Sequence, residues 1–327
     1  MNIFSFLRRR KPIPEPWAKY YTKEELNIKI PDISMYDQVK KSAHLYPNYI
    51  AYEYMGKKCL YKDFIEEINE WAKVFHSSGV KHGDIVTISL PNIPNVLVVL
   101  YALNKMGAIA NMVHPLSSEE EILFSLNSTK SKYLVMLNTF YNKIENVIGK
   151  SNVDAVIFAS AADYMPIYMK LFYNLSQIGK YKKYPKNNMY YSWKKFYKKY
   201  YVTNHIKFPK FCKDTPAVII HSGGTSGTPK NVVIQNRAFI LGALQENILM
   251  KNLHAGDCCL AIMPNFHGFG LSVLMHTPLA LGCYSILIPQ FDAKKFDIMF
   301  QKKKPSCVLG VPTLYEALIL SLIHISE

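Results

Sequence analysis

A short segment rich in glycine and hydroxyl side chains carries the clearest chemical signal in this 327-residue sequence. Residues 217–221 predict a buried strand, and the segment that follows reads Ser222, Gly223, Gly224, Thr225, Ser226, Gly227, Thr228, Pro229 and Lys230. Glycines let backbone N–H groups turn towards a bound anion, while hydroxyl groups add donors and Lys230 adds a positive charge. The segment therefore predicts a site for a pyrophosphate or triphosphate, with Mg²⁺ sharing the negative charge.

This motif differs from a Walker A loop, which needs Gly-x-x-x-x-Gly-Lys-Ser/Thr at the start of a helix. Here Pro229 stands before Lys230, and Asn231, Val232 and Val233 predict a second strand. We therefore expect a hairpin whose connection lies over phosphate groups. An ordinary glycine- and serine-rich turn has the same composition, so that interpretation stays open on this segment alone.

Alternating strands and helices must position this segment. Before residue 214 the sequence predicts helices at 62–78, 96–105 and 119–126 and strands at 84–90, 109–113, 133–137 and 155–159. After it, the sequence predicts a helix at 237–250 and strands at 217–221, 258–263, 284–288 and 307–309. Such alternation is typical of parallel sheets with helices on both faces. We therefore predict an α/β protein with two βαβ subdomains and mostly parallel sheets.

The predicted domain bounds follow from shifts in composition. Residues 1–35 are rich in proline and predict a leader in coil conformation. Residues 36–214 are the predicted first subdomain, and residues 215–319 are the second. Residues 320–327, LSLIHISE, match the translation of a transposon-based sequencing adapter, so we expect them to lie outside the native fold.

Composition restricts the class of protein. An apolar fraction of 49% with 19% charged residues is typical of a folded domain and not of a disordered chain. None of the six cysteines stands in a Cys-x-x-Cys pair, which argues against a zinc ribbon or a thioredoxin-type site. We expect reduced thiols in a cytoplasmic protein, and no apolar run is clean enough to predict a membrane span.

The net charge of +15 suggests nucleic-acid binding, but the residue types argue against it. Lysines outnumber arginines by 35 to 4, whereas recognition of bases and phosphates relies on the bidentate guanidinium group. Residues 164–213 contain 12 lysines and 10 tyrosines but no Asp or Glu. Two interpretations of this stretch stay open: a solvated excursion from the fold, or a peripheral contact with an anionic membrane at its inner face.

Five sequence blocks occur in the order that is found in the class I adenylate-forming enzymes, a superfamily that includes the acyl-CoA synthetases. The glycine-rich segment resembles the phosphate loop of that family. Upstream, one block with Gly79-Val80, Gly83-Asp84 and Pro91-Asn92 resembles the family pattern. A second upstream block, with Gly107-Ala108 followed by His114-Pro115-Leu116, resembles it too. Downstream, two more resemble it at residues 264–270 and 310–313. The resemblance covers residues 36–319.

The resemblance implies a two-step reaction that uses ATP, Mg²⁺ and coenzyme A. A carboxylate attacks the α-phosphorus of ATP to give an acyl-adenylate and pyrophosphate, and a thiol then takes the acyl group. The implied ATP phosphate-binding residues are Ser222, Gly223, Gly224, Thr225, Ser226, Gly227, Thr228 and Lys230. The implied acyl-pocket residues are Phe266, His267, Gly268, Phe269, Gly270, Gly310, Val311, Pro312 and Thr313.

The acid that the resemblance implies is a fatty acid. Relatives that activate amino acids have an Asp at the position of His267, and a neutral His267 would leave a buried ammonium group unpaired. Gly268 and Gly270 are expected to leave room for a chain, with His267 at the mouth of the pocket. The alternatives are a ligase for an aryl or other small acid, and a non-catalytic nucleotide-binding or membrane-associated module.

Some positions depart from the family pattern or lie outside it. Asn231 stands where the family usually has Gly, and we expect it to tolerate a left-handed backbone there. His114, His221 and His276 are expected to be structural. The family's Mg²⁺-binding Glu, ribose-binding Asp and catalytic Lys are expected beyond residue 327, so the resemblance implies an N-terminal part that does not turn over alone.

Overall fold

The computed structural model describes residues 15–222 and 229–323. The chain divides into a short N-terminal unit that ends at Ile30 and a main unit that begins at Pro31. In the N-terminal unit a 3₁₀ turn, Ala18–Tyr20, precedes helix α1, Lys23–Leu26. The expectation of coil is wrong here, because Thr22 and Glu25 form a reciprocal capping box that satisfies free N–H groups at the start of α1.

The main unit contains eleven strands among the described residues. In chain order they are β1 Ile50–Tyr54, β2 Lys57–Leu60, β3 Ile85–Ser89, β4 Ile109–Met112, β5 Tyr133–Leu137, β6 Ala155–Ala159, β7 Tyr190–Ser192, β8 Pro216–Ser222, β9 Lys230–Gln235, β10 Cys258–Ala261 and β11 Tyr284–Leu287.

Helices connect most of these strands and cover the sheets. They are α2 Met35–Leu45, α3 Tyr61–Ser77, α4 Pro94–Met106, α5 Glu119–Thr129, α6 Tyr141–Ile144, α7 Ile167–Ser176, α8 Trp193–Tyr200, α9 Asn236–Leu249, α10 Thr277–Ala280, α11 Ala293–Lys303 and α12 Pro312–Ile323. A π-helix, Phe269–His276, leads directly into α10. Among the described residues, none of the helices combines the length and the apolar composition that a membrane crossing requires.

Seven strands form one sheet in the order β7-β6-β5-β3-β4-β8-β9. All neighbours in it are parallel except β8 and β9, which are antiparallel. The four remaining strands form a second sheet in the order β10-β11-β1-β2, in which only β2 is antiparallel to its neighbour. The prediction of an α/β fold with mostly parallel sheets is confirmed.

Each sheet takes strands from both sides of residue 214. Strands β8 and β9 extend the sheet that β3 to β7 begin, while β1 and β2 join β10 and β11. The division into subdomains at residue 214 stays a prediction, but neither sheet is confined to one side of it.

Helix α4 lies at the centre of the main core, with every residue buried except Lys105. A helix that is buried all round reads as a continuous apolar run, which is how this segment appears in the sequence. Its Asn104 is also buried. The Asn104 carboxamide accepts a hydrogen bond from the Tyr36 N–H at 2.9 Å and donates one to Asn236 Oδ1 at 2.8 Å. These bonds connect the start of α2, helix α4 and the start of α9.

The strand predicted at 307–309 is wrong. Cys307 forms a single isolated bridge with Cys259. The N–H groups of Ser306 and Cys307 both donate to the Cys258 carbonyl, at 2.9 and 3.1 Å, so the chain turns at this point instead of following β10. Three residues after 309, Pro312 begins α12.

Candidate active site

Two adjoining cavities lie at the carboxyl ends of the parallel strands, the edge at which α/β sheets bind ligands. The smaller has a volume of about 170 Å³ and includes Ser125, His221, Ser222 and His267 in its lining. The larger has a volume of about 780 Å³, and apolar and aromatic side chains dominate its lining. His114 and Phe266 line both cavities.

A pair of buried asparagines holds the two sheets together beside these cavities. Asn92 follows β3 and Asn265 follows β10, and both side chains are almost inaccessible. Asn92 Nδ2 donates to the carbonyls of Ala261 and Met263 at 2.9 and 3.0 Å, and its Oδ1 accepts from the Asn265 N–H and Nδ2 at 3.1 and 3.0 Å. Asn265 Nδ2 also donates to the Leu90 carbonyl at 2.9 Å. This network fixes the position of the following residues, Phe266 and His267.

The segment after Asn265 turns sharply into the π-helix. The His267 N–H donates to the Pro264 carbonyl at 3.2 Å, and Gly268 precedes the first residue of the helix. A Cβ on Gly270 would lie 2.1 Å from the Pro264 carbonyl oxygen, whereas one on Gly268 would meet nothing closer than an Ile220 methyl group at 3.9 Å. Gly270 is therefore required for close backbone packing, and its role in leaving room for a substrate chain stays a prediction.

The aromatic residues of this segment divide between cavity and surface. The ring of Phe266 lies 4.2 Å from that of His114 and 4.8 Å from that of His267, measured between centroids. His267 lines the smaller cavity only. Phe269 is 41% exposed and lines neither cavity.

His114 was expected to be structural, but its position brings it to the boundary between the two cavities. Its Nδ1 accepts a hydrogen bond from the Leu116 N–H at 2.8 Å, which leaves the proton of the neutral ring on Nε2. Burial lowers the pKa of His114, and the neighbouring His267 lowers it further. His114 is therefore a neutral side chain beside Phe266.

His221 forms one end of a buried polar network beneath the smaller cavity. Its Nε2 lies 2.7 Å from Asn111 Oδ1 and 3.1 Å from Ser125 Oγ. Asn111 Nδ2 in turn donates to Thr87 Oγ1 and Ser125 Oγ, at 2.8 and 2.9 Å. Because Oδ1 can only accept, the proton of His221 lies on Nε2, and burial lowers the pKa of the ring. The network holds His221 neutral and fixed, as a structural role requires, while its ring still lines the cavity.

The glycine-rich segment connects β8 to β9, and the predicted hairpin is confirmed by their antiparallel pairing. Ser222 pairs with exposed Lys230 at the end of the hairpin where the connecting segment begins, and Ser222 and Pro229 line the smaller cavity. The predicted phosphate-binding residues Gly223, Gly224, Thr225, Ser226, Gly227 and Thr228 lie outside the described residues.

Asn231 lies within β9 and pairs with His221 on β8. Among the described residues, positive φ angles outside glycine occur at Met55, Lys130 and Lys304, so Asn231 does not adopt the left-handed backbone that we expected it to tolerate. Its Nδ2 donates to Ser128 Oγ at 3.0 Å and connects the hairpin to the end of α5.

The predicted pocket residues near the end of the chain lie apart from the others. Gly310 precedes α12, and Val311, Pro312 and Thr313 at its start are exposed. None of these four residues lines either cavity in the described part of the chain. The structure thus brings Ser222 together with Phe266 and His267, but not with residues 310–313.

The family model of the AMP-binding enzymes matches residues 39–325, which is most of the chain. This chain belongs to the AMP-binding enzyme family. The match includes the residues of both cavities, the strands of the hairpin and the asparagine pair.

Curated proteins similar to this chain include CoA ligases. A long-chain-fatty-acid–CoA ligase of Bacillus subtilis is 27% identical over 312 residues, which cover 93% of this chain and 55% of the relative. The 4-coumarate:CoA ligase 1 of Petunia hybrida is 22% identical over 309 residues, which cover 90% of this chain and 51% of the relative. The chain therefore spans about half the length of these relatives.

Solved structures share the fold. A long-chain-fatty-acid–CoA ligase from Archaeoglobus fulgidus has a TM-score of 0.73 at 19% identity, covering 91% of this chain and 55% of that one. An anthranilate–CoA ligase in complex with anthranoyl-AMP has a TM-score of 0.71 at 17% identity, covering 90% of this chain and 52% of that one.

Proposed function

We propose that the protein containing this chain is an ATP-dependent acid–thiol ligase that activates a fatty acid as its acyl-adenylate and transfers it to coenzyme A. The observation that carries the proposal is that a large apolar cavity adjoins a smaller one, which His221, Ser222 and His267 help to line beside the glycine-rich hairpin. The volume of about 780 Å³ lies within the usual range for ligand pockets, about 300–1,000 Å³. Apolar walls favour a long hydrocarbon chain over a charged substrate.

In this proposal the two cavities have separate roles. Ser222, Lys230 and the residues between them bind the phosphates of ATP, with Mg²⁺ sharing their charge. The acyl chain occupies the larger cavity, and its carboxyl group lies near His114 and Phe266, where the cavities meet. The pocket role of Gly310 to Thr313 rests on the resemblance. The expectation that this chain alone does not turn over is part of the proposal.

An aryl acid is the second candidate, and the lining of the larger cavity supports it. Tyr54, Phe140, Tyr173, Phe266 and Phe291 all contribute aromatic rings that could stack on an aromatic substrate. One of the curated relatives is named as a ligase for 4-coumarate. A direct comparison of the two acids separates the candidates.

Competitive displacement of a fluorescent fatty acid from the purified chain tests the proposal. We expect hexadecanoate to displace the probe at concentrations at least about tenfold below those needed for 4-coumarate, because each buried methylene adds about 1–3 kcal/mol. Leu137, which lines the larger cavity at the end of β5, is a suitable site for a blocking substitution. Leu137→Trp should weaken hexadecanoate binding at least about tenfold by filling the cavity.

Leu45→Trp is the matched control, because Leu45 is exposed at the end of α2 and lines neither cavity. It should leave binding unchanged. Tighter binding of 4-coumarate than of hexadecanoate would favour the aryl ligase. Equal weakening by both tryptophan variants would show that the probe does not bind in this cavity.

A further inference from the structure

Helix α7 exposes an apolar face. Its residues Ile167, Tyr168, Leu171, Phe172 and Leu175 recur at helical spacing and are between 57% and 89% exposed. Ile178, just beyond the end of the helix, is 75% exposed. A continuous group of large apolar side chains on one helix face is uncommon on the surface of a monomer and marks a site of contact.

The opposite face of α7 packs against the protein. Met169 and Tyr173, four residues apart, contact the main core. Tyr173 also lines the larger cavity, as does Met165 in the turn before the helix. Helix α7 therefore has the apolar cavity on one side and the exposed apolar face on the other.

Exposed lysines follow the apolar face directly in the chain. Lys180, Lys183 and Lys186, all within ten residues of the end of α7, are exposed. The whole stretch 164–213 contains 12 lysines and no acidic residue. A surface that combines apolar side chains with exposed lysines is complementary to an apolar layer covered by anions.

We propose that α7 docks this protein on an anionic lipid bilayer, with its apolar face in the headgroup region and the lysines on the lipid phosphates. A helix of ten residues is about 15 Å long, which suits a helix lying in the interface and not one that spans it. A second copy of the same surface would place lysine against lysine, which argues against a symmetric dimer through this face.

The docking also determines how a substrate reaches the larger cavity, a consequence that rests on the proposed function. Because α7 forms part of the cavity wall, a docked protein holds that wall against the membrane. A fatty acid dissolved in the bilayer then enters the cavity without crossing water. Docking itself requires neither ATP nor substrate, so it can be tested separately.

Co-sedimentation of the purified chain with vesicles tests the docking. Vesicles of phosphatidylcholine are compared with vesicles that also contain phosphatidylglycerol, without ATP or added fatty acid. We expect binding to the anionic vesicles only, weakening as salt is raised. Leu171→Ser with Phe172→Ser should weaken this binding at least about tenfold, because apolar burial is lost. Lys180→Gln with Lys183→Gln should also weaken it about tenfold or more, since each lysine near the surface contributes about 1 kcal/mol.

Matched controls lie elsewhere on the surface. Leu249→Ser with Ile298→Ser removes two apolar side chains of similar exposure, and Lys41→Gln with Lys58→Gln removes two exposed lysines. Both control pairs should bind as the unchanged chain does. Equal losses in the α7 and control variants would show that binding does not depend on this face, and would overturn the proposal.

Hydrogen exchange on the unchanged chain gives a second readout that no substitution can perturb. Anionic vesicles should slow exchange in residues 167–178 and leave α9 unaffected. Equal binding to neutral vesicles would remove the charge argument. If the Leu171→Ser, Phe172→Ser pair instead converts a dimer into a monomer in sedimentation velocity and leaves vesicle binding intact, the face binds a second copy and the proposal is wrong.

Discussion

Among single residues, the site depends on buried polar side chains and glycines that hold the cavity walls in position. Asn92 and Asn265 line up the ends of β3 and β10 through hydrogen bonds between 2.9 and 3.1 Å. Asn111 fixes the ring of His221 by accepting a hydrogen bond from its Nε2 at 2.7 Å. In the sequence, Asn92 and Asn265 were visible only as members of short motifs and Asn111 in no motif, because a buried asparagine has no periodic signature. The position of His114 at the cavity boundary was missed too, although His114 belongs to one of these motifs, because a motif does not show which side chains line a cavity.

Gly270 provides a residue-scale prediction for stability. Gly270→Ala should lower the free energy of unfolding by about 1–3 kcal/mol, because its Cβ would lie 2.1 Å from a carbonyl oxygen that cannot move freely. Gly268→Ala is the matched control, since its nearest neighbour would be a side-chain atom at 3.9 Å. Urea unfolding of the two variants measures the difference. Equal stability would show that the chain around Pro264 relaxes at little cost.

His276 provides a prediction for pH dependence. It is fully buried, and its ring nitrogens lie 3.0 Å from the Tyr101 hydroxyl and 3.0 Å from Gln38 Oε1. Burial lowers its pKa from 6.5 to about 3. The unfolded chain therefore binds a proton between these values while the folded protein does not. The stabilisation is complete above pH 6.5 and falls as the pH drops towards 3, by about 1.4 kcal/mol per pH unit.

The free energy of unfolding of the unchanged chain and of His276→Gln should be compared from pH 5 to pH 8. The stability of the unchanged chain relative to the variant should decrease by about 2 kcal/mol between pH 6.5 and 5. Burial raises the pKa of Glu67 and of Glu246 to about 7, so both titrate in this range, but they do so in both proteins. A difference that is constant with pH would mean that His276 binds a proton equally well in the folded and the unfolded chain, and would contradict the prediction.

At the scale of elements, most strands and long helices were predictable because their apolar periodicity is strong. The helix predicted at 62–78 is α3, Tyr61–Ser77, and the strand predicted at 133–137 is β5. The failures are at places where local hydrogen bonds decide. Cys307 is held by the Cys258 carbonyl, and α1 depends on one capping box in a proline-rich stretch. Neither feature produces a repeating pattern.

The end of α5 provides a prediction at this scale. Its last cap residue, Lys130, has a φ of 52°, in the left-handed region that favours glycine. Lys130→Gly should raise the free energy of unfolding by about 1 kcal/mol, because a side chain with a Cβ is strained there. At the end of α7, Gln177 has a φ of −95°, so Gln177→Gly should bring no gain. Urea unfolding of both variants tests this, and a gain in both or in neither would contradict the argument.

At the scale of the whole molecule, the class of fold could be predicted from the sequence, but the pairing of distant strands could not. The β-α-β alternation indicated parallel sheets, whereas nothing in it indicated that β1 would pair with β11, more than two hundred residues away. Residues of β1, β11 and α4 pack in one hydrophobic core, so this pairing depends on contacts between distant segments and not on any local pattern. The docking of α7 belongs to this scale too, because it depends on which face of a helix the fold leaves uncovered.

In the proposed function, the protein containing this chain adenylates a fatty acid. Exchange of labelled pyrophosphate into ATP by that protein, with and without hexadecanoate, tests it most directly. We predict exchange that depends on hexadecanoate and falls at least about tenfold in Lys230→Met, because a charge on the phosphates is lost. ATP binding without exchange for any carboxylic acid would contradict the claim and indicate a non-catalytic nucleotide-binding protein.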